Sequence, residues 1–134
     1  MLCAALFLLM VLTLSLRAWA STENLQPLKF ERVIDGATIV ASGKTVALRG
    51  VKPPDSSDPV AYASRRYLET MLGHGALRCA DKSAAGGRQV MKCYIDTADV
   101  GSLVVQMGMG TAADSYYLGE EAIAREKRRG LWRR

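Results

Sequence analysis

The chain has 134 residues, 49% of them hydrophobic and 23% charged, which is room for one globular domain and too little for two. No stretch combines low hydrophobicity with high charge, so wholesale disorder is excluded. Eighteen Lys and Arg against 13 Asp and Glu give a net charge of +5, a balance that favours anionic partners without naming one.

Residues 1–20, MLCAALFLLMVLTLSLRAWA, form an apolar run closed by Ala18-Trp19-Ala20, a small-x-small cleavage signature. They read as a secretory signal peptide, although the usual positive n-region is missing and Arg17 lies beyond the run. An uncleaved anchor is the other reading, but the run falls short of the roughly 20 residues a full span needs. Cleavage after Ala20 would leave no stable membrane span, a polar lead-in over 21–27, and a domain over 28–134. The protein is then expected to be secreted or periplasmic.

Short β-type runs follow at 29–34, 38–41 and 45–48, with Ser42-Gly43-Lys44 as the turn between the last two. Residues 51–58, VKPPDSSD, are too rich in Pro, Ser and Asp for regular structure and read as a loop. Asp58 can cap a helix whose first position is Pro59; Val60, Ala63, Tyr67 and Met71 recur at helical spacing, and Gly73 ends it. Two apolar segments carrying Cys79 and Cys93 flank a Gly-rich turn and read as a hairpin. In an oxidising compartment an even pair of cysteines is the pattern of a disulfide, and two cysteines lack the four ligands of a structural zinc site. Two buried thiols are the alternative. A short helix over 100–107 opens at Asp99 and closes at Gly108, residues 110–115 form a small-residue loop, and a charged helix over 117–129 closes at Gly130. The order of strands and helices suits an α+β domain whose strands curl into a small barrel.

At this point four motifs line up. The chain carries Val33-Ile34-Asp35-Gly36-Ala37-Thr38, then Leu48-Arg49-Gly50-Val51-Lys52-Pro53-Pro54-Asp55, then Gly86-Gly87-Arg88, and finally Tyr117 through Glu121 and Ala124 to Gly130-Leu131-Trp132. In order and spacing these resemble the staphylococcal nuclease-like (thermonuclease) family over residues 30–132. The resemblance implies an OB-type five-stranded β-barrel with three α-helices. It also implies a calcium-dependent nuclease, in which two carboxylates hold the ion, two arginines clamp the scissile phosphate and a glutamate acts as general base.

The chain departs from that pattern at the metal. Ala37 and Lys52 stand where the family has its two calcium carboxylates, and calcium wants six to eight oxygens. An ammonium about 4 Å from a divalent ion would be repelled by on the order of 8 kcal/mol at an effective dielectric near 20. The expectation is therefore no metal and no cofactor. Asp55 takes the place of the glutamate, one methylene shorter, and Ala85 and Gly86 replace a Lys and a Tyr that help hold phosphate. Arg49 and Arg88 match the two clamping arginines.

The catalytic set carried over is thus Arg49, Asp55 and Arg88, and the expected anion-binding set is Arg49, Lys52 and Arg88. The function expected is an exported, catalytically inactive monomer that binds phosphate, nucleic acid or an acidic polysaccharide. Two further readings stand beside it: an active phosphodiesterase with an altered metal site, and an accessory role in succinoglycan-type exopolysaccharide biosynthesis in a bacterial envelope. Of the remaining candidates, His74 sits between two glycines and reads as a surface turn residue. Tyr116 and Tyr117 could stack on a base or sugar, with packing the plainer reading for Tyr117. The last ten residues, with six positive charges and one negative, either dock on polyanions or complement a helix dipole.

Overall fold

The structure, a computed structural model, describes residues 24–85 and 88–133. The signal-like segment 1–20 and the Gly86-Gly87 turn lie outside the described residues. In chain order come β1 (Gln26–Pro27), β2 (Phe30–Asp35), β3 (Thr38–Ala41), β4 (Lys44–Leu48), β5 (Val51–Lys52), α1 (Val60–Leu72), β6 (Leu77–Ala85), β7 (Arg88–Ile95), β8 (Ala98–Asp99), α2 (Val100–Gln106), β9 (Thr111–Ala112) and α3 (Leu118–Glu126). Single 3-10 turns lie at Ser115–Tyr117 and Gly130–Trp132.

The chain is thus a mixed α+β domain with three α-helices, as expected. Tight turns set the first strands. Ser42 and Gly43 both have positive φ, 47° and 74°, the two-residue turn whose twist matches its flanking strands. Lys44 accordingly belongs to β4, paired with Ala41, and not to the turn. At the preceding turn Asp35 Oδ1 accepts from the Ala37 N–H at 2.8 Å.

The sheet has seven strands in the order β1-β6-β7-β4-β3-β2, with β8 paired to β7. The expected five-stranded closed barrel is not what these pairings make. They run as an open path, and among the described residues β1 and β2 do not pair with each other. The backbone nevertheless brings the two ends of the path together. The Leu28 N–H donates to Leu77 O at 3.0 Å, continuing β1 on β6, while Lys29 O accepts from the Ser42 N–H at 2.8 Å, continuing β2 on β3. Consecutive residues therefore bond opposite ends of one strongly coiled sheet.

Three short strands differ from the sequence reading. β1 lies in what reads as a featureless lead-in, and its Pro27 is tolerated because an edge strand has a side that needs no N–H donor. β5 and β9 lie in the two expected loops and pair antiparallel, Val51 with Ala112 and Lys52 with Thr111. Such pairing joins residues some 60 positions apart, beyond the reach of local pattern.

The helices also differ in detail. Asp58 Oδ1 accepts from the Val60 N–H at 2.8 Å, as a capping residue should. The buried stripe of α1, however, is Ser64, Leu68 and Leu72, one position on from the apolar series in the sequence, and Ala63 is exposed. Ser64 can occupy it because Gly36 has no side chain. A Cβ on Gly36 would collide with Ser64 Oγ, and that hydroxyl donates to Met109 O.

α2 is capped by Asp99, whose Oδ1 accepts from the Ser102 N–H at 3.3 Å, and it ends at Gly108 with φ 70°. α3 stops at Glu126, short of Gly130. Arg128 takes the left-handed position with φ 49°, and the bonds from Arg129 N to Ala124 O and from Arg128 N to Arg125 O form a Schellman pair. The chain must turn there so that Leu131 N can reach Gly108 O at 2.9 Å, where the backbones of Gly108 and Gly130 touch.

Ile39, Val46, Leu68, Met91, Val100, Val104 and Val105 are fully buried between the sheet and α1 and α2, each such side chain contributing about 1.5–3 kcal/mol. Cys79 and Cys93 face each other across β6 and β7 within this core and form a disulfide. The free-thiol alternative is thereby set aside.

Candidate anion site

Alternation along β7 separates two chemistries. Met91, Cys93 and Ile95 are buried, so Arg88, Val90, Lys92 and Tyr94 take the other face. On the parallel neighbour β4, Val46 and Leu48 are buried, which puts Ala47 and the following Arg49 on that same outer face. The register sets Val46 beside Gln89 and Leu48 beside Met91. Arg49 is therefore level with Lys92, and Arg88 with Thr45. Four residue steps separate the two arginines along the sheet, about 13 Å of backbone. They share a face, and among the described residues no ion pair joins either one to a carboxylate.

Arg49 is half-buried, with its guanidinium 4.2 Å from the centroid of the Tyr116 ring. Tyr116 follows Asp114, whose Oδ1 accepts from the Tyr116 N–H at 2.8 Å, and its ring meets that of Tyr117 edge-on at 4.7 Å. Lys92 Nζ lies 5.2 Å from the Tyr116 ring, 5.3 Å from the Tyr94 ring and 3.9 Å from Asp99 Oδ2. Burial alone would lower the pKa of Lys92, but its interactions with the Tyr116 and Tyr94 side chains outweigh it and raise the value. Asp99 is held in turn by the Tyr117 hydroxyl, which approaches its two oxygens at 2.8 and 3.0 Å. Burial first, and then this bond, raise the pKa of Tyr117 well above the ordinary 10.0.

The other expected members lie elsewhere. Lys52 is exposed on β5 and lines a shallow cleft of about 150 Å³ with Pro53, Pro54, Asp55, Asp58, Thr111 and Leu131. Neither Arg49 nor Arg88 enters it. Asp35 lines a second cleft of about 350 Å³ between the β2–β3 turn, Pro54, Ser56 and the first turns of α1.

Calcium does not fit the positions the resemblance would give it. Ala37 is buried and offers no oxygen, and Lys52 puts an ammonium where a carboxylate would be needed. Among the described residues no group of three or more His, Cys, Asp or Glu is arranged to hold a metal ion.

Tyr117 is buried and packs, as expected, and His74 is exposed beyond α1. In the basic C-terminal segment Arg125 pairs with Glu121 at 3.2 Å and lies 4.0 Å over Trp132, while Arg129 donates to Gln106 O. These contacts tie two of the cations into the fold. Lys92 and Tyr94 are the residues that motif reading passes over. The signal for them is the period-two alternation of β7, which groups both with Arg88.

No protein-family model matches the sequence, and no curated protein is recovered as a relative. Among the described residues no helix is long and apolar enough to cross a membrane.

Proposed function

We propose that this chain is an exported staphylococcal nuclease-like domain of OB type that has lost its calcium site and binds a polyanion without cutting it. The ligand is held on the outer face of β4 and β7 by Arg49 and Arg88, while Lys52 lines a separate cleft. One observation carries the reading: a half-buried arginine, its guanidinium over the Tyr116 ring and without a carboxylate partner among the described residues, shares a sheet face with a second arginine. An arginine so placed suits the bidentate recognition of phosphate.

The meeting of the sheet ends at Leu28 and Lys29 supports the OB-type topology. The disulfide supports export, since such bonds persist in oxidising compartments. Phosphate is favoured over a stacked base as the group recognised, because Arg49 already lies over the Tyr116 ring.

Titration of the purified protein with a single-stranded DNA oligonucleotide and with heparin tests the reading. Salt-sensitive binding is expected, weakened at least about tenfold by Arg49→Ala with Arg88→Ala. Neither calcium nor EDTA should alter it, and the DNA should stay intact. EDTA-sensitive cleavage would establish the phosphodiesterase alternative, and binding of heparin alone would point to an acidic glycan.

A further inference from the structure

The cations of the outer face are not equivalent. Arg49 meets no carboxylate among the described residues, whereas Lys92 is paired: its side chain is only 14% exposed and its Nζ lies 3.9 Å from Asp99 Oδ2. Asp99 in turn accepts hydrogen bonds from the Tyr117 hydroxyl and the Ser102 N–H. Lys92 therefore has a central strand beneath it and a hydrogen-bonded carboxylate beside it. What it adds is contact with Tyr116, the ring on which Arg49 lies.

We propose that Lys92 is a positioning residue of the anion site: anchored by Asp99, it holds Tyr116 in place, and the Tyr116 ring holds the Arg49 guanidinium toward the ligand. This rests on the anion-binding reading above and says how that site is preorganised. A long arginine side chain ordered before the ligand arrives loses less freedom on binding, so affinity rises with no added contact. Tyr116 is thereby constrained by three contacts: the Tyr117 ring, the Asp114 cap at its backbone and Lys92.

A positioning residue and a phosphate contact differ in counterion release. Each phosphate neutralised on a single strand steepens the fall of log Kobs with log salt by about 0.7. Binding of a fluorescent single-stranded DNA oligonucleotide is measured across a salt series for the unmodified protein, Arg49→Ala, Lys92→Met and Tyr116→Leu. Arg49→Ala should weaken binding and flatten the slope by about 0.7. Lys92→Met and Tyr116→Leu, which removes the ring, should each weaken binding on the order of fivefold with the slope unchanged.

A flattened slope for Lys92→Met would make Lys92 a ligand contact and overturn the proposal, as would unchanged affinity in both variants. If Lys92→Met fails to fold, Lys92→Gln, which keeps a long polar side chain and removes the charge, takes its place in the same comparison. If the unmodified protein shows no salt-dependent binding, the anion reading fails and this proposal with it. Binding that survives with unaffected variants overturns the positioning role alone.

Discussion

At the scale of the residue, buried hydrogen bonding sets the alkaline limit of the fold. Tyr117 is 3% exposed, and burial followed by its bond to Asp99 raises its pKa above the ordinary 10.0. Burial raises that of Tyr67 as well, against the opposing charge of Arg129. An unfolded tyrosine releases its proton near pH 10.0 while these folded ones keep theirs, so their stabilisation is complete below that pH and declines as pH rises through it. Lys92, raised from 10.5, acts in the same direction. Urea midpoints should thus be level below about pH 9 and fall steeply above pH 10, by up to about 1.4 kcal/mol per pH unit for each such group. Tyr117→Phe should be less stable than the unmodified protein at pH 8 and lose less on going to pH 11. An equal loss in the two would show that Tyr117 does not drive the decline. Nothing local in the sequence marks Asp99 as the partner of Tyr117 and Lys92, because the helix-capping role that the sequence does suggest already accounts for it.

At the scale of the element, regular segments were legible where a strong local signal bounded them. α1 and α2 begin at their acidic caps, and α2 ends at Gly108, because caps and left-handed glycines act within a few residues. The end of α3 was not legible, since a non-glycine, Arg128, takes the left-handed position under the demand of the Gly108–Gly130 contact. The β6–β7 hairpin gives the prediction at this scale. Cys79 and Cys93 are opposite one another and buried, and closing a loop of 14 residues removes chain entropy from the unfolded state worth about 3 kcal/mol. Cys79→Ala with Cys93→Ala, or reduction by dithiothreitol, should lower the denaturation free energy by roughly that amount. An unshifted urea midpoint would mean that the bridge contributes nothing to stability.

For the whole molecule the decisive feature is the stretch at Leu28 and Lys29. Leu28 packs against the core and bonds Leu77, and Lys29 bonds Ser42 through both backbone groups, its N–H to Ser42 Oγ at 2.8 Å and its carbonyl to the Ser42 N–H. These few bonds hold the two ends of the sheet together. A chain begun at Phe30 should therefore be less stable than one begun at Asn24 by roughly 3 kcal/mol, from the lost hydrogen bonds and the lost burial of Leu28. Equal unfolding midpoints for the two chains would show that the sheet keeps its curl without this latch.

The amino-acid order by itself determined the class of the domain, the strand-then-helix succession, the capped helix starts and the pairing partners of the hairpin cysteines. Each depends on interactions within a few residues or across one turn, which periodicity and turn chemistry record. Only the tertiary structure decided that Lys52 and Asp55 face a different cleft from Arg49 and Arg88, that β5 finds β9, and that Arg49, Lys92, Tyr94, Tyr116 and Asp99 converge. Those outcomes follow from strand register and from which face each side chain takes once distant segments pack, and a one-residue shift in either would scatter the cluster.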